Sequence, residues 1–378
     1  MVNSVEIFSG AGGLAKGMEL AGFCHKAFVE WNADACRTLR ANFPPEIVHE
    51  GDIRNVNFRD FENVDLIAGG PPCQPFSLGG KAKGNEDERD MFPAAIRAIR
   101  ELRPKVFVFE NVKGLLRNSF KDYFNYIILQ LQFPGIKQGN LTWREHYAKI
   151  LEKSKHAPGT GLMYDVSYTL VNAADYGIPQ KRERVIIVGI RKDLNVNWVF
   201  PVTTHSQASL LWSKYVTHEY WESLNISPSN EEYSGFKQLA ESLKLKWGLF
   251  PPTLKPWRTV RNALANMPGN DSEIFFPDEH IAKAGAREYF GHTGSPIDEP
   301  SKTIKAGNHG VPGGENMVRL PDGTVRYYTI FEAKRIQTFP DSYHITGSWT
   351  EAMRQIGNAV PVQLANIIAS SLKDSVFK

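Results

Sequence analysis

Short apolar runs alternate with helix-spaced segments through the first half of the chain, and each run ends in a turn that carries glycine or an acid. The run 106–109, Val-Phe-Val-Phe, has no polar alternation, which is typical of a strand buried on both faces of a sheet. Strands that alternate with helices build a parallel, doubly wound sheet. The sequence therefore predicts an α/β fold. Its predicted strands cover the runs 5–8, 27–29, 64–68, 106–109 and 184–190.

Helix-period spacing of apolar residues follows most of these runs. Asn32 or Asp34 is placed to cap the helix after Glu30, and Pro361 opens the last helix. The connection 118–165 is long, and we expect its Lys- and His-rich end, KILEKSKHAPGTG, to be a surface excursion. Further helices are predicted over 14–21, 91–102, 119–133 and 331–339.

The composition is that of an ordinary globular protein, because 42% of the 378 residues are hydrophobic, 22% are charged and the net charge is +3. Disordered and fibrous classes are thereby excluded. Cys24, Cys36 and Cys73 are too few and too isolated for a disulfide framework or a CxxC zinc site. No apolar run approaches the ~18 residues of a membrane span, and the opening residues do not resemble a signal peptide. We therefore expect a cytoplasmic protein that inserts in no membrane.

The rhythm of strands and helices stops between about 195 and 330, where prolines, glycines and tryptophans become frequent. This segment has 13 Lys and Arg against 14 Asp and Glu, a net charge of −1. The change of pattern predicts a second domain without net basic charge. Apolar spacing typical of a helix resumes after Pro361.

Ligands of a doubly wound sheet bind outside the carboxyl ends of its strands, where loops and helix N-termini converge. Gly10, Glu30, Asp52, Cys73 and Glu110 all fall at such ends, so we expect them to line one pocket. The first loop fits the GxGxxA pattern of nucleotide-binding turns, and an acid twenty residues later suits a ribose diol. NAD enzymes place an acid similarly, so these two features leave the cofactor open.

The segment 69–77, GGPPCQPFS, carries the most specific chemistry. Two prolines fix the backbone directly before Cys73, and a rigidly aimed thiol indicates a nucleophile. Glu110 ends a buried strand, where a carboxyl group suits the role of a general acid. Arg182 and Arg184 precede the last strand, and arginines there can hold a carbonyl oxygen or a phosphate bidentately. Read alone, the acid also fits a helix cap and the arginines a solvated charge run.

In this order, the motifs resemble those of the cytosine-C5 DNA methyltransferases of bacterial restriction-modification systems. The resemblance covers most of the chain. It rests on FSGAGG (8–13), Glu30-Trp31, Gly51-Asp52-Ile53, GGPPCQPFS (69–77), ENV (110–112), QKRER (180–184), RIQTFP (335–340) and QIGNAVP (355–361).

The resemblance implies a Rossmann-like catalytic domain over 1–193 and 345–378, and a target-recognition domain over 194–344. It implies S-adenosylmethionine as cofactor and no metal. The thiolate of Cys73 would add to C6 of a cytosine, Glu110 would donate to N3, and Arg184 would hold O2 with Arg182 close by. The implied cofactor residues are Phe8, Ser9, Gly10, Gly12, Gly13, Leu14, Glu30, Trp31, Asp52, Ile53, Pro72, Met91, Asn358 and Val360.

Contact with the edge of the base requires the cytosine to leave the stack of a double-stranded DNA. The glycines and lysines of segment 77–84 suit a lid over the flipped base, as the family's active-site loop does. The resemblance also implies a monomer, with which a separate cognate restriction endonuclease is compatible. The DNA contacts expected on these grounds are Ser77, Lys81, Lys83 and Thr303.

The motifs also bear on alternative functions. A branch of the family methylates tRNA and carries a Cys-Phe-Thr tripeptide, which this sequence lacks. Amino-methyltransferases need no thiol after their Pro-Pro pair, and an NAD-dependent oxidoreductase would leave PPCQ, ENV and QKRER unexplained. A non-catalytic DNA-binding homologue would lack the nucleophile or the acid, and both are present.

Overall fold

The structure is a computed structural model that describes residues 1–72, 90–156, 161–228, 230–267, 276–290, 292–306 and 316–377. The chain forms two compact units. The first unit comprises Met1–Val171, Glu183–Pro201 and Ala365–Lys378, and the second comprises Asn172–Arg182 and Val202–Leu364. The domain boundaries expected from the sequence stay a prediction.

Strands and helices alternate through the first unit, as the apolar pattern predicts. Their bounds are β1 (Val2–Ile7), α1 (Gly13–Leu20), β2 (Phe23–Glu30), α2 (Ala33–Asn42), β3 (Val48–Glu50), β4 (Leu66–Gly69), α3 (Phe92–Leu102), β5 (Val106–Val112), α4 (Lys121–Gln132), α5 (Trp143–His156), β6 (Tyr164–Asn172) and β7 (Glu183–Arg191).

Among the described residues, these seven strands form one sheet in the order β3-β2-β1-β4-β5-β7-β6. Strands β1 to β5 pair in parallel, so their carboxyl ends lie along the same edge. The chain moves outward from β1 through β2 to β3 and then returns to the other side of β1 as β4. Loops diverge at such a switch point and leave a crevice for a ligand. The predicted Rossmann-like α/β fold is confirmed.

Strand β7 runs antiparallel to β5, with Val112 opposite Arg184 and Val106 opposite Ile190. The amino end of β7 therefore lies at the same edge as the carboxyl ends of the parallel strands. Strand β5 also continues beyond the predicted run to Val112, so Glu110 lies within the strand and not after it.

The connection 118–165 is built around α4 and α5, which pack against each other. Ile150 of α5 is fully buried, and His146 contacts the Tyr126 hydroxyl of α4 at 2.9 Å. Residues 149–156 of the predicted surface excursion belong to α5, and most of the side chains of 151–155 are exposed, so the surface position stays a prediction. Residues 157–160 lie outside the described chain.

The second unit is built of short elements. Its helix α10 (Ile330–Ile336) begins at a capping box between Thr329 and Glu332 and ends before Thr338, whose φ of 60° is left-handed. The last helix, α12 (Val362–Val376), begins in the second unit and continues in the first unit from Ala365. The bounds are β8 (His205–Ser206), α6 (Gln207–Tyr215), α7 (Glu219–Leu224), α8 (Asn230–Trp247), β9 (Lys255–Pro256), α9 (Val260–Leu264), β10 (Ser295–Pro296), β11 (Met317–Arg319), β12 (Val325–Tyr327), α10 (Ile330–Ile336), α11 (Trp349–Asn358) and α12 (Val362–Val376).

The antiparallel pairing of β5 with β7 requires a glycine at position 189. A Cβ atom on Gly189 would lie 2.1 Å from the ring of Phe107, which is fully buried. We expect Gly189→Ala to lower the free energy of unfolding by about 1–3 kcal/mol, because the ring or the strand must move. Urea denaturation would measure the change. Gly135→Ala is the control, since no atom lies within 4 Å of its Cβ position, and equal losses in both variants would contradict the prediction.

Candidate active site

The first loop folds back over the end of β2. The N–H group of Phe8 donates to the Val29 carbonyl at 2.9 Å, and that of Gly12 donates to the Ser9 carbonyl at 3.0 Å. Gly12, with a left-handed φ of 78°, precedes α1 without a side-chain cap. Gly10 also has a positive φ, of 53°, and no atom lies within 4 Å of its Cβ position. The loop therefore leaves open space above its backbone. Gly13 and Leu14, the remaining predicted residues of this loop, open α1 and are buried.

Glu30 connects this loop to the carboxyl end of β2. Its carboxylate accepts hydrogen bonds from the backbone N–H groups of Gly10 at 2.8 Å, Trp31 at 3.0 Å and Asn32 at 2.8 Å. A carboxylate has about four acceptor positions, so one stays available. The neighbouring Trp31 side chain is 75% exposed. The predicted acid Glu30 and the glycine turn are thus connected by a hydrogen bond.

Asp52 and Ile53 follow β3 at the same edge of the sheet. The Gly51 N–H group donates to the Glu30 carbonyl at 2.9 Å, which fixes this turn beside β2. The Asp52 carboxylate caps a short 3-10 helix and accepts from Nε of Arg54 at 2.9 Å. Hydrogen bonds from Arg54 lower the pKa of Asp52, so this acid stays ionised. Ile53 is buried.

The end of β4 lies against the end of β5. The Asn111 side chain donates to the Pro71 carbonyl at 3.0 Å, and the Met91 N–H group donates to the Pro72 carbonyl at 3.4 Å. The Glu110 carboxylate lies beside the same segment, since a Cβ atom on Gly70 would be 3.6 Å from Glu110 Oε2. The two prolines before Cys73 are therefore anchored next to the predicted acid. Cys73 lies outside the described residues, as do the expected DNA contacts Ser77, Lys81 and Lys83.

Arg184 and Glu110 form an ion pair at this edge, with Nε of the arginine 2.6 Å from Oε1 of the acid. Their side chains are 13% and 11% exposed, so both charges are shielded from water. The antiparallel register of β7 brings Arg184 to this position. A buried charge of this kind needs its partner, because removing one leaves the other uncompensated. An exposed pair lies nearby, between Lys113, which directly follows β5, and Glu183 of β7 at 2.8 Å.

Arg182 has different partners from Arg184, although one residue separates them. Its side chain is buried in the second unit, where the guanidinium donates to the carbonyls of Gly357 at 2.8 Å and Ala359 at 2.9 Å. These two carbonyls flank Asn358. Arg182 therefore holds the turn that carries the predicted cofactor contacts Asn358 and Val360, and its predicted catalytic role stays a prediction.

Thr303, the predicted DNA contact of the second unit, is half-buried. Its hydroxyl donates to the Lys181 carbonyl at 2.8 Å. This bond ties the Ser-Lys-Thr segment to the QKRER segment within the same unit. The expected contact with DNA stays a prediction.

Two buried polar residues of the site were not selected from the sequence. Asn111 fixes the Pro71 carbonyl, and Glu6 lies almost fully buried within β1. Burial raises the pKa of Glu6 well above its ordinary value, while the Ala15 N–H group donates to its carboxyl. An acid or amide directly beside buried apolar strand residues is the signal that would have found both.

The structure distinguishes Cys36 from a reactive thiol. Burial raises its pKa to about 12, and the neighbouring charge of Glu30 acts in the same direction. The Cys36 thiol donates to the Glu30 carbonyl at 3.4 Å. Because a thiolate is the reactive form, Cys36 fits a structural role.

No group of three or more His, Cys, Asp or Glu side chains in the described part of the chain is arranged to hold a metal ion. No helix among those residues has the length and apolar character to cross a membrane.

Comparison with known proteins identifies the family. The model of the C-5 cytosine-specific DNA methylases matches residues 2–137 and 142–374. M.NgoMIV, a Type II methyltransferase of Neisseria gonorrhoeae, is 32% identical over 376 residues, which cover 99% of this chain and 98% of that protein. M.PspPI, a Type II methyltransferase of Psychrobacter sp. (strain TA137), is 35% identical over 375 residues, which cover 97% of this chain and 78% of that protein.

A solved structure has the same fold. The crystal structure of the S. pombe Dnmt2 methyltransferase matches with a TM-score of 0.58 at 16% identity and covers 99% of both chains. At this identity the likeness concerns the fold alone. The family match and the relatives together show that the chain belongs to the C-5 cytosine-specific DNA methylase family and is a DNA cytosine-5 methyltransferase.

Proposed function

We propose that this chain transfers a methyl group from S-adenosylmethionine to C5 of a cytosine flipped out of double-stranded DNA, through a covalent adduct with Cys73. The observation that carries the proposal is the shielded pair of Glu110 and Arg184, 2.6 Å apart. It lies beside Pro71 and Pro72, which directly precede the thiol in the chain. A nucleophile, an acid and a cation are thus assigned to one edge of the sheet.

The residues of the first loop fit the proposed cofactor. The space above Gly10 admits a ligand close to the backbone, and the free acceptor position of Glu30 suits a ribose hydroxyl. Trp31 offers an exposed aromatic face for the adenine. When bound, S-adenosylmethionine supplies an electrophilic methyl group on a sulfonium sulfur. Phe8, Ser9, Gly12, Gly13, Leu14, Asp52, Ile53, Pro72, Met91, Asn358 and Val360 stay predicted contacts.

Cys73 provides the activation that the reaction needs. C5 of cytosine is a weak nucleophile, because the ring is electron-poor and conjugated. Addition of the Cys73 thiolate to C6 forms a carbon–sulfur bond and makes C5 part of an enamine. After methylation, a base removes the C5 proton, the thiolate leaves C6 and the N3 proton returns to Glu110, which restores the neutral aromatic ring. The covalent bond thus divides a difficult step into easier ones.

Glu110 and Arg184 stabilise the negative charge that this addition places on the ring. In the proposed step Glu110 is protonated when the base is bound and donates this proton to N3, while Arg184 donates hydrogen bonds to O2. The carboxylate left on Glu110 after proton donation faces Arg184, which stabilises it. Because these two groups are in position before the reaction, they can stabilise the charge that develops on the ring without rearranging.

Double-stranded DNA is the substrate that the proposal favours over tRNA. The relatives at 32% and 35% identity are named Type II methyltransferases, and the matched family acts on DNA. On this basis we propose that the chain methylates cytosine within one specific DNA sequence. Bisulfite sequencing of DNA from cells that express the chain would reveal the modified base and its context. Methylated tRNA with unmodified DNA would contradict the proposal. A cognate endonuclease and the monomeric state stay predictions.

We expect Cys73→Ser to abolish methyl transfer, because a serine hydroxyl is too weakly acidic to supply the attacking anion. Duplexes that contain 5-fluorocytosine should trap the wild-type protein irreversibly, since fluorine cannot leave C5 as a proton does. Denaturing gels would display the adduct. Cys24→Ser is the matched control and should form the adduct normally. A trapped adduct in the Cys73→Ser variant would show that Cys73 is not the nucleophile.

We expect Glu110→Gln to slow methyl transfer by about 10²–10⁴-fold, because the amide does not release a proton to N3. Transfer of a labelled methyl group under single-turnover conditions would measure the rate. Glu183→Gln is the matched control, since this acid lies on the neighbouring strand in an exposed pair with Lys113. Similar rates for both variants would contradict the assignment.

We also propose that Arg182 is a positioning residue for the turn around Asn358. Arg182→Lys loses the fork that reaches the Gly357 and Ala359 carbonyls. The KM for S-adenosylmethionine should rise about tenfold, with a smaller change in kcat. Steady-state kinetics would separate the two, with Lys181→Gln as the neighbouring control. A fall in kcat at unchanged KM would instead favour a direct catalytic role.

A further inference from the structure

The proposed chemistry gives no role to the segment RIQTFP (335–340), yet this segment contacts the backbone around Asn358. The turn 356–361 joins the end of α11 to the start of α12. Asn358 is exposed, whereas all the other residues of this turn are buried. The turn therefore presents one side chain to a ligand and packs the rest of its residues inside the second unit.

The side chain of Gln337 holds the backbone of this turn. Gln337 is fully buried, and its Nε2 donates to the carbonyls of Ile356 at 2.7 Å and Ala359 at 3.3 Å. The guanidinium of Arg182 donates to the Gly357 and Ala359 carbonyls. Side chains from two distant segments thus bind three carbonyls of one short turn. Such buried hydrogen bonds favour a single backbone conformation.

The turn is also packed closely at Gly357. A Cβ atom at this position would lie 2.6 Å from the backbone nitrogen of Ala306 and 2.6 Å from the carbonyl carbon of Lys305. The backbone of residues 305–306 therefore lies directly against the turn. Hydrogen bonds and close packing together restrict the position of Asn358.

Residues 337 and 338 also satisfy the first backbone groups of α12. The first N–H groups of a helix have no partner within the helix. The Val362 N–H group donates to the Gln337 carbonyl at 3.1 Å, and the Gln363 N–H group donates to the Thr338 hydroxyl at 2.9 Å. The residues after α10 therefore fix the start of the helix that follows the turn.

The backbone of Thr338 adopts an unfavourable conformation to make this contact. Its φ of 60° lies in the left-handed region, which a β-branched residue rarely occupies. Glycine would adopt the same conformation without steric strain, but it has no hydroxyl group. Strained residues persist where the surrounding structure holds them, and they are frequent at functional sites. The strain at Thr338 is therefore consistent with a functional use of its hydroxyl.

We propose that Gln337 and Thr338 are positioning residues for S-adenosylmethionine. They hold the turn in the conformation in which Asn358 and Val360 contact the cofactor, and they act through its backbone. A turn that is fixed before the ligand arrives loses little conformational entropy on binding. This inference rests on the proposed use of S-adenosylmethionine and on the predicted contacts of the turn.

Binding of S-adenosylhomocysteine, measured by isothermal titration calorimetry, tests the proposal without turnover. We expect Thr338→Gly to raise the dissociation constant about fivefold, the effect of roughly one hydrogen bond. Its urea midpoint should stay close to that of the wild-type protein, because relief of the left-handed strain offsets the lost bond. Thr338→Ser keeps the hydroxyl and should bind as the wild-type protein does.

Gln337→Met tests the second positioning residue. Methionine has a similar shape but no donor for the Ile356 and Ala359 carbonyls. We expect its dissociation constant to rise at least as much as that of Thr338→Gly, because two hydrogen bonds to the turn are lost. Titration at a temperature at which urea denaturation shows the variant to be folded separates weaker binding from unfolding.

Asn225→Gly is the matched control for Thr338→Gly. Asn225 also follows a helix of the second unit in the left-handed conformation, with a φ of 52°, and it is exposed. This variant should bind S-adenosylhomocysteine as the wild-type protein does. Wild-type affinity in Thr338→Gly or in Gln337→Met would overturn the role of that residue. Equal losses of affinity in Thr338→Ser and Thr338→Gly would show that the hydroxyl does not position the turn.

Binding by the wild-type protein separates this inference from the proposed function. If the wild-type chain binds S-adenosylhomocysteine and both variants bind it equally well, the positioning role alone fails. If the wild-type chain does not bind it, the proposed cofactor fails and the positioning role fails with it.

Discussion

The direction of the strands at one edge of the sheet determines where this protein can carry out chemistry. Parallel pairing of β1 to β5 places the carboxyl ends of all five strands at that edge. The antiparallel β7 adds its amino end. Glu110 thereby meets Arg184, which is 74 positions later in the chain, at 2.6 Å. Glu30, Asp52 and the Pro71–Pro72 pair lie at the same edge.

Local patterns predict much of this unit, because its central strands β4, β5 and β7 are buried on both faces and its turns carry glycine or acids. The cap of α2 illustrates this, since of the two predicted residues, Asn32 and Asp34, it is the Asn32 side chain that accepts from the Ala35 N–H group at 2.9 Å. The antiparallel direction of β7 was not predictable in the same way. Strand pairing depends on which distant segment fills the space beside β5, and the apolar run 184–190 is compatible with either direction.

The second unit shows where sequence patterns carry less information. Several of its strands have only two or three residues, too few for alternation to be recognised. Its stability depends on polar side chains that reach distant backbone groups, as Arg182 does at Gly357. The QKRER motif was recognisable in the sequence, but the different partners of its two arginines depend on tertiary structure. Arg182 thus holds backbone carbonyls, whereas Arg184, two positions later, pairs with Glu110.

Glu30 shows how the first loop can be ordered before any ligand arrives. Its carboxylate already accepts three backbone N–H groups, one of them from the glycine turn. A flexible loop would lose conformational entropy when the ligand binds. Here that entropy is already lost when the protein folds, so it does not oppose binding. The same carboxylate therefore shapes its own surroundings and presents an acceptor to the solvent. Aspartate is one methylene shorter, so it could not hold the Gly10 turn and keep its acceptor in the same position. The length of the glutamate side chain therefore contributes to the rigidity of the loop.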